Sequence, residues 1–288
     1  MMKIEEMMIL DKYMNYPSNL NWLNGQITRD GALLLIETPR KEQDFSLINQ
    51  NWTVTLIKDG AVNKIELKNV PITPTKADIF SDGTILLVQG RCSTDGDTIE
   101  QNACIYDATG QLKDSFLLGD GISQVQIDEM DTIWVSYFDE GIFGAFENME
   151  PIGAKGLVAY SKNGQKLWEA NDYDIADCYA MNVVSSKEVN FYYYDSYKLV
   201  QLKDYIETAS YMVEGEDLFD QFIFDQEDLI VQVDSYTVKR YKKSNQTITP
   251  SAIVTLIDEK GKRISGPIFM RGKLLYAFGK DELYKKEF

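Results

Sequence analysis

The chain has 288 residues, 44% hydrophobic and 12% aromatic, which supplies a buried core and excludes a disordered polymer. Its formal net charge of −16 repels phosphate backbones and argues against nucleic acid as a partner. Histidine is absent altogether, which removes Ser-His-Asp and Cys-His catalysis, imidazole metal ligation and the usual proton shuttle.

In chain order, the N-terminal segment KIEEMMILDKY is short, apolar and interrupted by acids, with no small-residue cleavage site. It reads as neither a signal peptide nor a membrane span, so a cytoplasmic setting with reduced thiols and no membrane partner is expected. From Trp22 onward, apolar runs repeatedly meet a tight polar turn and resume at once. These hairpins are QITRDGALLLIET, DIFSDGTILLVQG, VQIDEMDTIWVSYF, NVVSSKEVNFYYY, FIFDQEDLIVQV and IFMRGKLLYAFG. Asp-Gly between strand-forming runs predicts a type I′ turn, which needs positive φ at both central residues. Six hairpins give one unit per 48 residues (288/6), the length of a four-stranded propeller blade.

Each hairpin supplies strands A and B of a blade. Strands C and D are expected at TVTLIKDGAVNKIEL, ACIYDATGQLKDSFLL, GLVAYSKNGQKLWEA and AIVTLIDEKGKRISG, with YKLVQLKDYIETASYMV filling that role in blade four without a turn glycine. After the last A–B hairpin only DELYKKEF remains, enough for strand C alone. The N-terminal segment is therefore expected to complete blade six beside the C-terminal strands, because unjoined end blades leave open edges. The expected fold is all-β: one domain, 1–288, forming a six-bladed β-propeller of four-stranded blades, closed by N-terminal strand pairing with the C-terminal blade. A pair of β-sandwiches, the rival fold, explains neither the period nor the incomplete last unit.

In such a fold the A–B and C–D turns share one face, and the B–C and D–A connections share the other. The B–C connections TPRKEQDFSLINQN, GRCSTDGDTIEQNA, FDEGIFGAFENMEPIGAK and DSYTVKRYKKSNQTITPS are long, and long connections on a rigid scaffold are where binding groups sit. The candidate ligand-binding residues on that face are Asp120, Tyr137, Asp139, Glu140, Asp177, Tyr179 and Asn182. Asp120 lies in the crossing into blade three, Tyr137 to Glu140 end its strand B, and Asp177 to Asn182 enter strand A of blade four beside the channel. Carboxylates at Asp120, Asp139, Glu140 and Asp177 are the oxygen donors that a hard cation such as Ca²⁺ or Mg²⁺ takes.

Each of these residues also has an ordinary structural use. Asp caps turn amides and Gly accepts positive φ, which accounts for Gly119-Asp120-Gly121 as a turn; the adjacent acids Asp139 and Glu140 fit turn chemistry less well. Tyr179 reads as packing, Cys178 as a small buried thiol, and Cys92 and Cys104 as free thiols flanking one loop. Three cysteines at this spacing make neither a disulfide framework nor a zinc site. The loop STDGDT, with Asp95 and Asp97, departs from the EF-hand pattern and reads as solvated turn. The basic run VKRYKKSNQ reads as surface, and FYYYDSY as inter-blade packing.

The stretch from Asp120 to Asn182, with GDGI, IWVSYFDEGIFG, PIGAKGLVAY and DCYAMNV, resembles uncharacterised bacterial six-bladed propeller proteins. It is more distantly similar to NHL-type, two-component-regulator and SMP-30/gluconolactonase-like propellers. The near resemblance covers about a third of the chain and implies the fold but no activity. The lactonase-like one implies a divalent cation held by Glu, Asn and Asp at the channel mouth, though those ligand positions do not align with particular residues here. Two functions follow as expectations. The first is a non-catalytic binding propeller, its long-loop face taking a protein or small ligand; neutralising a basic toxin, as an immunity protein does, is a special case. The alternative is a divalent-metal-dependent, lactonase-like hydrolase in which the metal polarises a carbonyl or activates water.

Overall fold

The computed structural model describes the whole chain except residues 1–3, 18–20, 39–48, 93, 96–97, 145–149 and 216, and the side chains of 21–23, 94, 95 and 98. The described residues are β-strands and turns with one short helix, Asp139–Phe143. They cluster into two compact units. One comprises Asn19–Cys178 and Tyr193–Asp195; the other comprises Met1–Ser18, Tyr179–Tyr192 and Ser196–Phe288.

The 19–178 unit holds three four-stranded antiparallel meanders. Their strands are Asn21–Ile27, Leu33–Thr38, Gln50–Lys58 and Ala61–Val70; then Lys76–Ile79, Ile85–Val88, Ala103–Tyr106 and Leu112–Phe116; then Ile122–Ile127, Ile133–Tyr137, Leu157–Tyr160 and Lys166–Glu169. The second strands LLLIET, ILLV and IWVSY are buried at every position. They read as continuous apolar runs because they are covered on both faces. Fourth strands such as Leu112–Phe116 are largely exposed and polar.

Neighbouring first strands are tied by polar side chains. Asn24 and Gln26 donate through their amide nitrogens to the carbonyls of Thr75 and Ala77, each 51 residues on. The Arg29 guanidinium reaches the Ile79 carbonyl at 2.6 Å, and Asp78 accepts from Ile127 N–H at 2.7 Å. These separations match the repeat read from the hairpins.

The other unit completes its C-terminal sheet with the N-terminus. Asp11–Asn15 pairs antiparallel with Glu282–Glu287, Asp11 opposite Lys285 and Asn15 opposite Glu282, beside Leu274–Phe278 and Ile268–Arg271. The preceding strand, Ile4–Ile9, does not join that sheet. It lies parallel to Thr247–Ile257, with Ile4 opposite Ala252 and Ile9 opposite Ile257. Met8 and Leu10 are buried in one cluster with Val254, Leu256, Leu275, Ala277 and Tyr284, so the apolar segment is shared between two sheets.

The remaining strands form a nine-stranded sheet rather than two separate blades. Four consecutive strands from Asp177–Ser185 to Ile206–Val213 make one meander, and four from Gln221–Asp225 to Thr247–Ile257 make the next. A short parallel contact, Met212 to Thr247 and Val213 to Ile248, fuses them, and Ile4–Ile9 adds the ninth strand. Here too first strands are tied: Gln221 accepts from Met270 N–H at 2.7 Å, 49 residues on.

Two local expectations are corrected. The Asp30-Gly31 and Asp82-Gly83 turns are not two-residue type I′ turns. In the first, Thr28 N–H donates to Ala32 C=O and Gly31 N–H to Thr28 C=O; in the second, Phe80 and Gly83 do the same with Thr84 and Phe80. The glycine, at φ +80° or +81°, follows a type I turn as a bulge residue. Loops starting at Asp107, Asp128, Ser161 and Asp258 repeat the pattern, with Asp131 (φ +62°) in the glycine's place. Type I′ geometry occurs at Asp59-Gly60 and, without glycine, at Asp204-Tyr205, where both residues have positive φ.

The second correction concerns the basic run. It is not a long connection but the strand Thr237–Ser244, which turns at Asn245 (φ +52°) into Thr247–Ile257. AIVTLIDEKGKRISG forms only a short hairpin: Asp258 N–H donates to Lys262 C=O, Ile264 N–H donates to Leu256 C=O, and Ile257 bridges Arg263. Val238 and Tyr241 are buried, while Lys239 pairs with Asp217, Arg240 with Glu6 and Asp225, and Lys243 with Glu227. Long cationic stems lie along the sheet with paired heads, which hides the strand pattern behind a charge run.

Candidate functional site

The long B–C connections, 39–49, 89–102 and 138–156, all belong to the 19–178 unit. The equivalent links later in the chain, 195–197, 235–236 and 279–281, are short. Residues 39–48, much of STDGDT including Asp97, the Asp95 side chain and residues 145–149 lie outside the described residues.

The GDGI, FDEG and PIGAKG segments meet through backbone. Phe138 N–H donates to Gly121 C=O and Tyr137 N–H to Gly156 C=O, each at 2.8 Å. Gly121 (φ +65°) leaves no room for a side chain, because a Cβ there would overlap the backbone of Gly141. The buried Asn102 amide, a residue that carries no local sequence signal, donates to Gly119 C=O at 2.7 Å and accepts from Leu118 N–H at 2.9 Å. This packing holds Asp120 and the start of the Asp139–Phe143 helix in fixed places.

On that support stands a group of charges. Asp120 accepts from Cys92 N–H at 2.8 Å and from Arg91 Nε at 3.0 Å. Arg91 Nη1 stands 3.5 Å from Glu140 Oε1, and its guanidinium lies 5.6 Å from the Phe138 ring centroid. Asp139 accepts from Glu140 N–H at 2.8 Å. Burial pushes the Asp177 carboxyl up to about 6, helped by the negative charges of Asp139 and Glu140. Burial and the Asp120 and Glu100 charges likewise raise the Cys92 thiol to about 12, so at neutral pH it is not a thiolate nucleophile.

Asp177 thus feels the charges of Asp139 and Glu140, and Arg91 links Glu140 to Asp120. Tyr137 belongs to the same unit but is fully buried, its hydroxyl donating to Leu118 C=O at 2.5 Å and lying 2.8 Å from the Tyr160 hydroxyl. Tyr179 and Asn182 fall in the other unit. Tyr179 packs against Tyr192 at 5.7 Å. Asn182 is buried; its oxygen accepts from Gly272 N–H at 2.7 Å and its nitrogen donates to Phe222 C=O at 3.1 Å. Cys178 is buried and Cys104 is free, as Cys92 is. Sequence reasoning missed Arg91 and Phe138; an isolated arginine 29 residues before its carboxylate partner leaves no spacing to read.

Among the described residues no group of three or more His, Cys, Asp or Glu side chains is placed to hold a metal ion. Asp120, one of the four proposed ligands, is engaged by a backbone amide and a guanidinium. No helix among the described residues is long and apolar enough to cross a membrane.

Comparison with known proteins gives the class of fold. A virginiamycin B lyase from Staphylococcus aureus is similar at TM-score 0.54 and 12% identity, over 97% of this chain and 99% of that one. A chain of the mitotic checkpoint complex is similar at TM-score 0.53 and 6% identity, over 94% and 76%. At such identities the likeness shows the fold alone, all-β and propeller-like. More particularly, a family profile described as the YxzG family matches residues 151–286. No curated protein matches the chain.

Proposed function

We propose that this protein is a single-domain, six-bladed propeller of the binding class, whose long-loop rim takes a cationic group of a partner. Six four-stranded units support that count: three separate meanders, two more joined at one end in the nine-stranded sheet, and the three C-terminal strands completed by Asp11–Asn15. Kinship with NHL-type and SMP-30-like propellers is part of the same proposal, as is a cytoplasmic setting. The observation that carries the binding role is the group around Asp177. Its carboxyl is raised first by burial and further by the charges of Asp139 and Glu140, on a glycine-packed support, and an incoming cation offsets both.

The test is a salt-dependent titration of a blocked tri-lysine peptide, followed by NMR. Wild-type protein binds at low salt, and the triple variant Asp139→Asn, Glu140→Gln, Asp177→Asn does not. Equal binding by the two proteins would remove the rim from the reading. Melting with EDTA, then with Ca²⁺ or Mg²⁺, separates the hydrolase alternative, since a cation bound only by the native state raises the midpoint by mass action.

A further inference from the structure

We infer that Arg91 is a built-in occupant of this rim, its guanidinium holding the place that an arginine side chain of a basic partner takes. The inference rests on the cation-binding reading above and names both the partner group and its competitor. Arg91 makes the three contacts by which proteins recognise arginine. One nitrogen bonds Asp120 Oδ1 at 3.0 Å, another faces Glu140 Oε1 at 3.5 Å, and the planar head lies 5.6 Å from the Phe138 ring centroid.

The receptor side of this contact does not depend on the arginine. Asp120, only 20% exposed, is also held by Cys92 N–H. Phe138 is anchored by Gly121 C=O, and the Glu140 backbone is fixed by accepting from Gly144 N–H. The arm is different: Arg91 is 59% exposed and held at its tip. An exposed pair of this kind contributes little stability, so a second guanidinium can displace the first at small cost. A lysine ammonium lacks the flat face that Phe138 takes, so arginine is preferred.

The probes are blocked tri-arginine and tri-lysine peptides, titrated against wild type, Arg91→Ala and Arg91→Lys, each first checked for native unfolding by urea. Arg91→Ala is expected to bind tri-arginine roughly 5-fold tighter than wild type, with a smaller gain for tri-lysine. Arg91→Lys falls between, and Asp120→Asn placed in the Arg91→Ala protein cancels the gain. If wild type binds and Arg91→Ala binds equally or more weakly, Arg91 is no occupant although the rim still binds cations. If neither peptide binds any of the proteins, the rim reading falls and takes this inference with it.

Discussion

Two arginines in this chain sit among carboxylates, and they differ in burial rather than in partners. Arg240 forks onto Glu6 through Nε and Nη2, both at 2.8 Å, and reaches Asp225 at 2.7 Å and Asp228 at 3.7 Å. Its side chain is 15% exposed, against 59% for Arg91. A partly buried guanidinium cannot leave without stranding its acids, so Arg240 fastens Ile4–Ile9 to the sheet. An exposed one contributes little to the fold and is free to be replaced. Counting charges would class the two sites together; solvent access separates them.

The largest expected effect tests the fastened site. Arg240→Leu leaves Glu6, Asp225 and Asp228 without their cation and should cost about 3 kcal/mol in urea unfolding. Amide exchange of residues 4–9 should then quicken ahead of the rest. A loss under about 1 kcal/mol would put Arg240 in the same class as Arg91 and end the comparison.

Next in size is the support beneath the exposed site. Gly121→Ala forces a side chain into Gly141 at φ +65°, and should destabilise by about 2 kcal/mol while abolishing peptide binding at the rim. Full binding in a destabilised protein would mean that the rim forms without the glycine contact.

How much of this contrast could be read in advance follows from the range of each interaction. Strand runs such as ILLV and IWVSY, and the turns beside them, are local, and the all-β, propeller-like class was legible from them. The Asp120 to Asp177 acids were legible as candidates because they sit where strands meet long connections. Arg91 and Asn102 were not, since their partners lie 29 and 17 residues away across a fold that must first exist. The strand TVKRYKKS was misread because Lys239, Arg240 and Lys243 are paired by acids outside it, Asp217, Glu6, Asp225 and Glu227.

Asp177 gives a smaller effect with a defined pH dependence. Its folded value, about 6, lies above the ordinary 3.8, so the folded protein holds the proton between them and stability falls as pH rises through that window. Asp177→Asn should therefore stabilise by on the order of 1 kcal/mol at pH 8, allowing for solvent screening, and by much less at pH 4.5. A gain that does not grow with pH would show that neither burial nor the Asp139 and Glu140 charges raise this carboxyl in the folded protein.

The smallest effect is the one that defines the exposed site. Arg91→Ala alone should shift stability by less than about 1 kcal/mol, since the head keeps much of its hydration when paired. Its coupling to Glu140, from a double-mutant cycle with Glu140→Gln, should be about 0.5 kcal/mol at low salt and vanish near 1 M, where charges are screened within a few ångströms. The Arg240–Glu6 cycle in the same buffers should keep most of its coupling, because low access to solvent also excludes ions. A salt-insensitive Arg91 coupling would mean that its guanidinium is fixed as firmly as that of Arg240, and therefore too firmly to give way to a partner.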